Sequence, residues 1–194
     1  MYKETDIPLI SEQYYHIYNC GNNGENLFFE ERNYPYFLKL YAKYIYPVTN
    51  TYAYCLMKNH FHLLVRMKPL EDLEGFENLP GLYSRQFSNL FNAYTKAINK
   101  AYNRKGSLFQ KNFKRKLIDS DDYFIHLISY IHRNPQKHGF TDDYRNYPYS
   151  SYETIYEQKN SRIDNKQVID WFGNLSSFVK YHEQFDEVKI QHLI

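Results

Sequence analysis

Two histidines one residue apart, His60 and His62, and a tyrosine followed four residues later by an asparagine, Tyr130 and Asn134, are the side chains in this sequence best suited to joint chemistry. Thr51 to Arg66 reads as strand, tight turn, strand. Side chains alternate faces along a strand, so His60 and His62 share one face while Phe61 turns to the core. At roughly 3.3 Å rise per residue the two imidazoles stand about 6.6 Å apart along the strand and can converge on one metal ion. The segment Tyr130-Ile131-His132-Arg133-Asn134-Pro135 reads as the last turn of a helix, where positions four apart share a face. A phenol and an amide oxygen facing two imidazoles are the equipment for metal-assisted attack by tyrosine on a phosphodiester. His126 is a rival ligand or base, and Tyr123 a rival nucleophile. The plainer alternatives are polar histidines on a sheet face and an asparagine capping a helix end.

The elements that position these residues follow from periodicity and punctuation. Tyr14 to Cys20 reads as a strand ending at the turn signal Gly21-Asn22-Asn23-Gly24. Phe29 to Tyr46 reads as a helix, with Pro35 in its first turns and Pro47 closing it. Val48 to Met57 and His60 to Met67 form a hairpin turning at Lys58-Asn59, and Pro69 to Pro80 an acidic loop. Ser84 to Tyr102 reads as a helix and Ser107 to Ile118 as a basic strand. Asp119-Ser120-Asp121 supplies N-caps for a helix from Asp122 to Asn134, which Pro135 and Gly139 end. The order β-α-β-β-α-β predicts an α+β fold, a ferredoxin-like or RRM-like antiparallel sheet with helices on one face and, in addition, the tyrosine-bearing helix. After Phe140 the character changes, and short helices are expected near 168–172 and 176–182. Residues 1–140 are therefore read as a catalytic domain and 141–194 as a helical extension.

Bulk composition excludes several classes. The 194 residues are 43% hydrophobic, enough for a core, so wholesale disorder is excluded. There is no apolar run of membrane-spanning length, and Met1 to Ser11 lacks a secretion signal's apolar core. Cys20 and Cys55 read as buried thiols, which fits the cytoplasm. No Gly-rich P-loop is present, so nucleotide-driven chemistry is not indicated. Net charge is +2 overall, yet Leu79 to Ile118 holds nine basic residues and no acid, leaving −7 for the remainder. Arg85, Lys96, Arg104, Lys105, Lys111, Lys114, Arg115 and Lys116, interleaved with aromatic residues, are candidate nucleic-acid contacts, because clustered cations gain affinity by releasing phosphate counterions. Most of the 22 tyrosines are structural amphipathic rings, and Tyr130 stands out only through its neighbours.

The ordered set of motifs then resembles a known family. Tyr15-His16-Ile17-Tyr18-Asn19, Asn59-His60-Phe61-His62-Leu63-Leu64, Gly106-Ser107-Leu108-Phe109-Gln110, Tyr130 to Pro135, His138-Gly139 and Tyr147-Pro148-Tyr149-Ser150-Ser151 are similar to the single-tyrosine HUH (His-hydrophobic-His) transposases. They are closer still to the REP-associated tyrosine transposases. The resemblance implies His60 and His62 as metal ligands, Tyr130 as nucleophile and Asn134 as third protein ligand. It implies magnesium or manganese as cofactor and single-stranded DNA, often beside a hairpin-forming repeat, as substrate. One departure is Cys20, at a position often arginine in relatives.

On this reading Tyr130 attacks the scissile phosphate to give a 5′-phosphotyrosine link and a free 3′-hydroxyl, and the retained bond energy allows rejoining without ATP. A non-cleaving single-strand binding module and a hydrolytic phosphodiesterase that would not need Tyr130 are the competing functions. A homodimer is left open, since in such folds the tyrosine helix serves its own site or a partner's.

Overall fold

Alternating side-chain direction along the strands gives one antiparallel sheet two faces, both largely covered. The computed structural model describes residues 3–73 and 81–185. Its elements are β1 (Tyr14–Cys20), α1 (Asn33–Tyr44), β2 (Thr49–Met57), β3 (His60–Met67), α2 (Leu82–Ala101), β4 (Lys114–Ile118) and α3 (Asp121–Lys137), followed by α4 (Tyr152–Tyr156), α5 (Asn165–Phe172) and α6 (Leu175–Glu183). The strands lie in the order β2-β3-β1-β4, every neighbouring pair antiparallel, as the ferredoxin-like reading expects. Ile17, Phe61, Leu63 and Val65 turn to one face, against Phe37 and Tyr41 of α1 and Phe87, Phe91 and Tyr94 of α2. Cys55, Met57 and Leu64 turn to the other, against Leu127, Ile128 and Ile131 of α3 and Ile155, Val168 and Phe178 of the C-terminal helices.

Three elements depart from the sequence reading. The basic strand starts at Lys114 rather than Ser107, because Asn112 adopts a left-handed φ of 61° and the preceding loop bonds to the end of β1, Gln110 N–H to Cys20 O at 2.9 Å. Ser120 stands at the N-cap position of α3 but makes no side-chain cap bond. Helix α3 runs through Pro135 to Lys137. Proline removes the donor for Ile131 O, but the next turn is closed by His138 N–H to Asn134 O at 3.0 Å and Phe140 N–H to Pro135 O at 2.8 Å. Full burial of Ile131 and Asn134 outweighs the lost bond. The expected loop Pro69 to Pro80 is a short 3₁₀ turn at Leu70–Asp72, and its residues 74–80 lie outside the described residues, as do 186–194 of the extension.

The extension contacts β2 along its outer edge. Leu56 N–H donates to Tyr149 O at 2.9 Å, Ser151 N–H to Tyr54 O at 3.0 Å and Asp164 N–H to Thr51 O at 3.0 Å. Behind this edge a buried polar chain ties three elements together. His182 of α6 has Nδ1 2.8 Å from Phe178 O, His132 of α3 has Nδ1 2.9 Å from His182 Nε2, and Ser151 Oγ lies 2.8 Å from His132 Nε2. A carbonyl only accepts, so one assignment of protons satisfies every link: each imidazole neutral and donating from Nδ1, and Ser151 donating to His132.

Burial holds His132 well below its ordinary pKa and His182 at about 3, with the Arg133 guanidinium also disfavouring charge on His182. Both are neutral when folded but take up protons near pH 6.5 when unfolded. Their contribution is fully present above about pH 6.5 and is lost as pH falls toward the folded values, by about 1.4 kcal/mol per pH unit for each group. Urea midpoints between pH 7 and 4.5 should fall accordingly. The slope should shrink by about one proton in His182→Gln, whose amide oxygen still accepts from His132. An unchanged slope in that variant would remove His182 from the account.

Candidate active site

The sheet face under α3 gathers the residues singled out for chemistry. Strand alternation puts His60 and His62 of β3 there together, and β1 adds His16 and Tyr18, with Tyr18 opposite His62 in the register. The His60 and His62 rings stand 5.4 Å apart, nearly perpendicular at 89°. Helix α3 brings the Tyr130 ring to 5.5 Å from His62 within the same chain. Asn134, one turn on, is fully buried and donates from Nδ2 to Tyr130 O at 2.8 Å. Its Oδ1 is buried and without a hydrogen-bond partner. A buried carbonyl oxygen with nothing to accept from is costly unless something else meets it.

Both histidines are held neutral. His60 Nδ1 lies 2.7 Å from Asn59 Oδ1, which leaves Nε2 for a ligand. The turn carrying Asn59 is pinned by Gly21 N–H to Asn59 O at 2.8 Å. Gly21 is required there, because a Cβ would come 1.8 Å from Glu25 O. His62 Nδ1 lies 2.8 Å from His16 Nε2. Burial, aided by His138, pulls His60 down to about 4, and burial, aided by His16, His60, His138 and Lys137, holds His62 well below the ordinary range. Both imidazoles therefore keep their lone pairs at neutral pH.

The donor set, two imidazole nitrogens and one orphaned amide oxygen, fits a divalent ion with open positions. Among the described residues no group of three or more His, Cys, Asp and Glu side chains is placed to hold a metal.

Three residues of this site were not picked out from sequence. His16 was read only as part of a motif, although alternation from Tyr14 places it on this face. Lys137 and His138 lay beyond the proline taken as the helix end. Continuation of α3 sets Lys137 Nζ 5.4 Å from the Tyr130 ring centroid and the His138 ring 4.9 Å from His60. Of the rivals, His126 is engaged by the Tyr181 hydroxyl of α6 at Nδ1, while Tyr123 is buried in the same cluster as Tyr130, its ring 5.9 Å from Lys116 Nζ.

The basic candidates divide between the two sheet faces. Lys114 and Lys116 alternate onto the Tyr130 face, Lys114 Nζ standing 5.6 Å from the Tyr18 ring. Arg115 turns to the opposite face, where it donates to Ser84 Oγ at 3.0 Å and to Thr5 O. There it lines a polar groove of about 730 Å³ together with Lys111, Asn92 and Asn112. Arg104 is held by Glu25 and by Asn99 Oδ1 at 2.7 Å. Arg85, Lys96 and Lys105 are exposed on or just after α2. No helix among the described residues is long and apolar enough to cross a membrane.

Comparison with known proteins shows the family and the fold. A putative REP-associated tyrosine transposase of Haemophilus influenzae is 29% identical over 134 residues, covering 66% of this chain and 69% of the relative. The solved structure of a REP-associated tyrosine transposase bound to a REP hairpin superposes with a TM-score of 0.61 at 16% identity, over 81% of this chain and 86% of that one, and shares the fold. The family model described as "Transposase IS200 like" matches residues 10–134, which span both histidines, Tyr130 and Asn134, and the chain belongs to that transposase family.

Proposed function

We propose that the protein is a divalent-metal-dependent endonuclease and strand transferase on single-stranded DNA, acting beside hairpin-forming repeats through a Tyr130 phosphotyrosine intermediate. The observation that carries the proposal is the approach of Tyr130 to His62 in one chain, at 5.5 Å between rings, with Asn134 one turn further along the same helix, its Oδ1 buried and unpartnered. His60, His62 and Asn134 would hold Mg²⁺ or Mn²⁺, which when bound polarises a non-bridging phosphate oxygen. The Tyr130 hydroxyl attacks phosphorus in line. The P–O3′ bond breaks, the proton of the phenol ends on the departing 3′-oxygen, and the 5′-phosphate stays on Tyr130. A tyrosine hydroxyl titrates near 10, so attack at neutral pH needs a cation nearby, and Lys137 offers one. The hairpin partner is supported by the relative solved on a REP hairpin.

The test is a denaturing gel of the full chain with labelled hairpin-bearing single strands and Mn²⁺. A covalent protein–DNA adduct that disappears with a chelator is expected. Cleavage without an adduct would favour hydrolysis by water, and tight binding without cleavage would favour a binding module.

Lys114 and Lys116 are assigned to phosphates of the strand entering the Tyr130 face. Neutralising both should flatten the log–log salt dependence of single-strand binding by about one to two units, at roughly 0.7 per contact. Preference among sequences should survive, because phosphate contacts position the strand without reading it. A wild-type slope in the double variant would move the DNA path elsewhere.

The geometry also favours action in cis. Mixing Tyr130→Phe with His62→Ala protein should restore no cleavage, since each chain assembles its own tyrosine and histidines. Recovered activity, about a quarter of wild type when subunits exchange at random, would show that α3 serves a partner's site.

A further inference from the structure

If His62 is to offer a lone pair from Nε2, its proton must sit on Nδ1. Nδ1 of His62 faces Nε2 of His16 at 2.8 Å, and both rings are buried, His16 completely. Two neutral arrangements satisfy this contact. In one, His62 donates from Nδ1 to His16 Nε2, and the proton of His16 sits on its own Nδ1. In the other, His16 donates from Nε2, and the His62 proton moves to Nε2, where it blocks ligation. His16 Nδ1 has no hydrogen-bond partner in either case. The unsatisfied group is thus common to both, and the occupant of His62 Nε2 decides between them. His60 is arranged differently: its Nδ1 faces an amide oxygen at 2.7 Å, an atom that only accepts.

We propose that His16 is a positioning residue of the metal site, accepting the Nδ1 proton of His62 so that Nε2 is free and correctly aimed at the ion. The inference rests on the assignment of His62 as a ligand. The ring is well placed for the role. Its ring lies nearly parallel to those of Tyr18, at 4.7 Å and 25°, and His62, at 5.0 Å and 25°, which are themselves 5.6 Å apart. On β1 it is locked between Leu64 of β3 and Lys116 of β4. An acceptor fixed in that way sets both the tautomer and the tilt of the ligand ring, as outer partners of metal-bound histidines do.

The experiment measures Mn²⁺ binding to the full chain without DNA, by electron paramagnetic resonance titration, alongside thermal melting. His16→Leu removes the acceptor and should weaken Mn²⁺ binding about 10- to 100-fold, whereas His16→Gln, whose amide oxygen can accept from His62, should stay within about threefold. A role in packing alone predicts the opposite ranking in melting, with Leu as good as His, and equal Mn²⁺ affinity in both variants. Wild-type affinity in His16→Leu, together with loss in His62→Ala, overturns this inference alone. Wild-type affinity in both overturns the metal site itself. Should His16→Leu fail to fold, imidazole nitrogen NMR of the wild type with Mg²⁺ decides the matter. A proton on His62 Nδ1 coupled to His16 Nε2 is expected, and a proton on His16 Nε2 would refute the proposal.

Discussion

Tyr130→Phe is expected to abolish strand cleavage, by at least about four orders of magnitude, while leaving the affinity for hairpin-bearing single strands within about threefold. The substitution keeps the ring that packs at 5.5 Å from His62 and removes only the oxygen that would bond to phosphorus. Tyr130 is 7% exposed, so its ring contributes to the wall of the site and its loss to alanine would confuse packing with chemistry. Phenylalanine separates the two. The measurement is a single-turnover cleavage assay paired with a binding titration on the same preparation. Cleavage near the wild-type rate would show that another nucleophile acts, and Tyr123, the nearest rival on the same helix, would be tested next.

His60→Ala and His62→Ala are each expected to lower Mn²⁺-dependent cleavage about 100- to 1,000-fold, equivalent to about 3–4 kcal/mol of transition-state stabilisation. The two should differ in stability. His62 is buried against His16 and its truncation leaves His16 Nε2 without a partner, whereas His60 is only partly buried. His62→Ala should therefore also melt lower. Asn134→Ala should be milder in cleavage, because water can take one coordination position. A chelator should reproduce the histidine variants in the wild type, and undiminished cleavage in metal-free buffer would reject the site.

Much of this was legible in the chain because the relevant periods are short. A period of two put His60 and His62 on one face, and a period near four put Tyr130 and Asn134 on one side of α3. The order of strands and helices gave the ferredoxin-like sheet. What escaped depended on partners distant in sequence or on local competition. His16 matters through His62, 46 residues away. Arg104, counted among the DNA contacts, is held by Glu25, 79 residues earlier. Arg115 and Lys114 looked equivalent in a basic run, and only the register of β4 against β1 sends them to opposite faces. Pro135 reads as a helix stop by its missing N–H, yet tertiary burial carried the helix past it and delivered Lys137 and His138 to the site.

The outer edge of β2 is occupied by a segment encoded downstream of every residue assigned to the chemistry. Its backbone bonds to Tyr149, Ser151 and Asp164 cover strand groups that would otherwise be open to pairing with other chains. A nonsense mutation shortly after Phe140 would spare the codons for both histidines, Tyr130 and Asn134. It would nonetheless expose that edge and strip His132 of both its hydrogen-bond partners. In a genetic screen such an allele would score as a catalytic null although no catalytic codon is touched. Only the amount of soluble protein would tell the two kinds of allele apart.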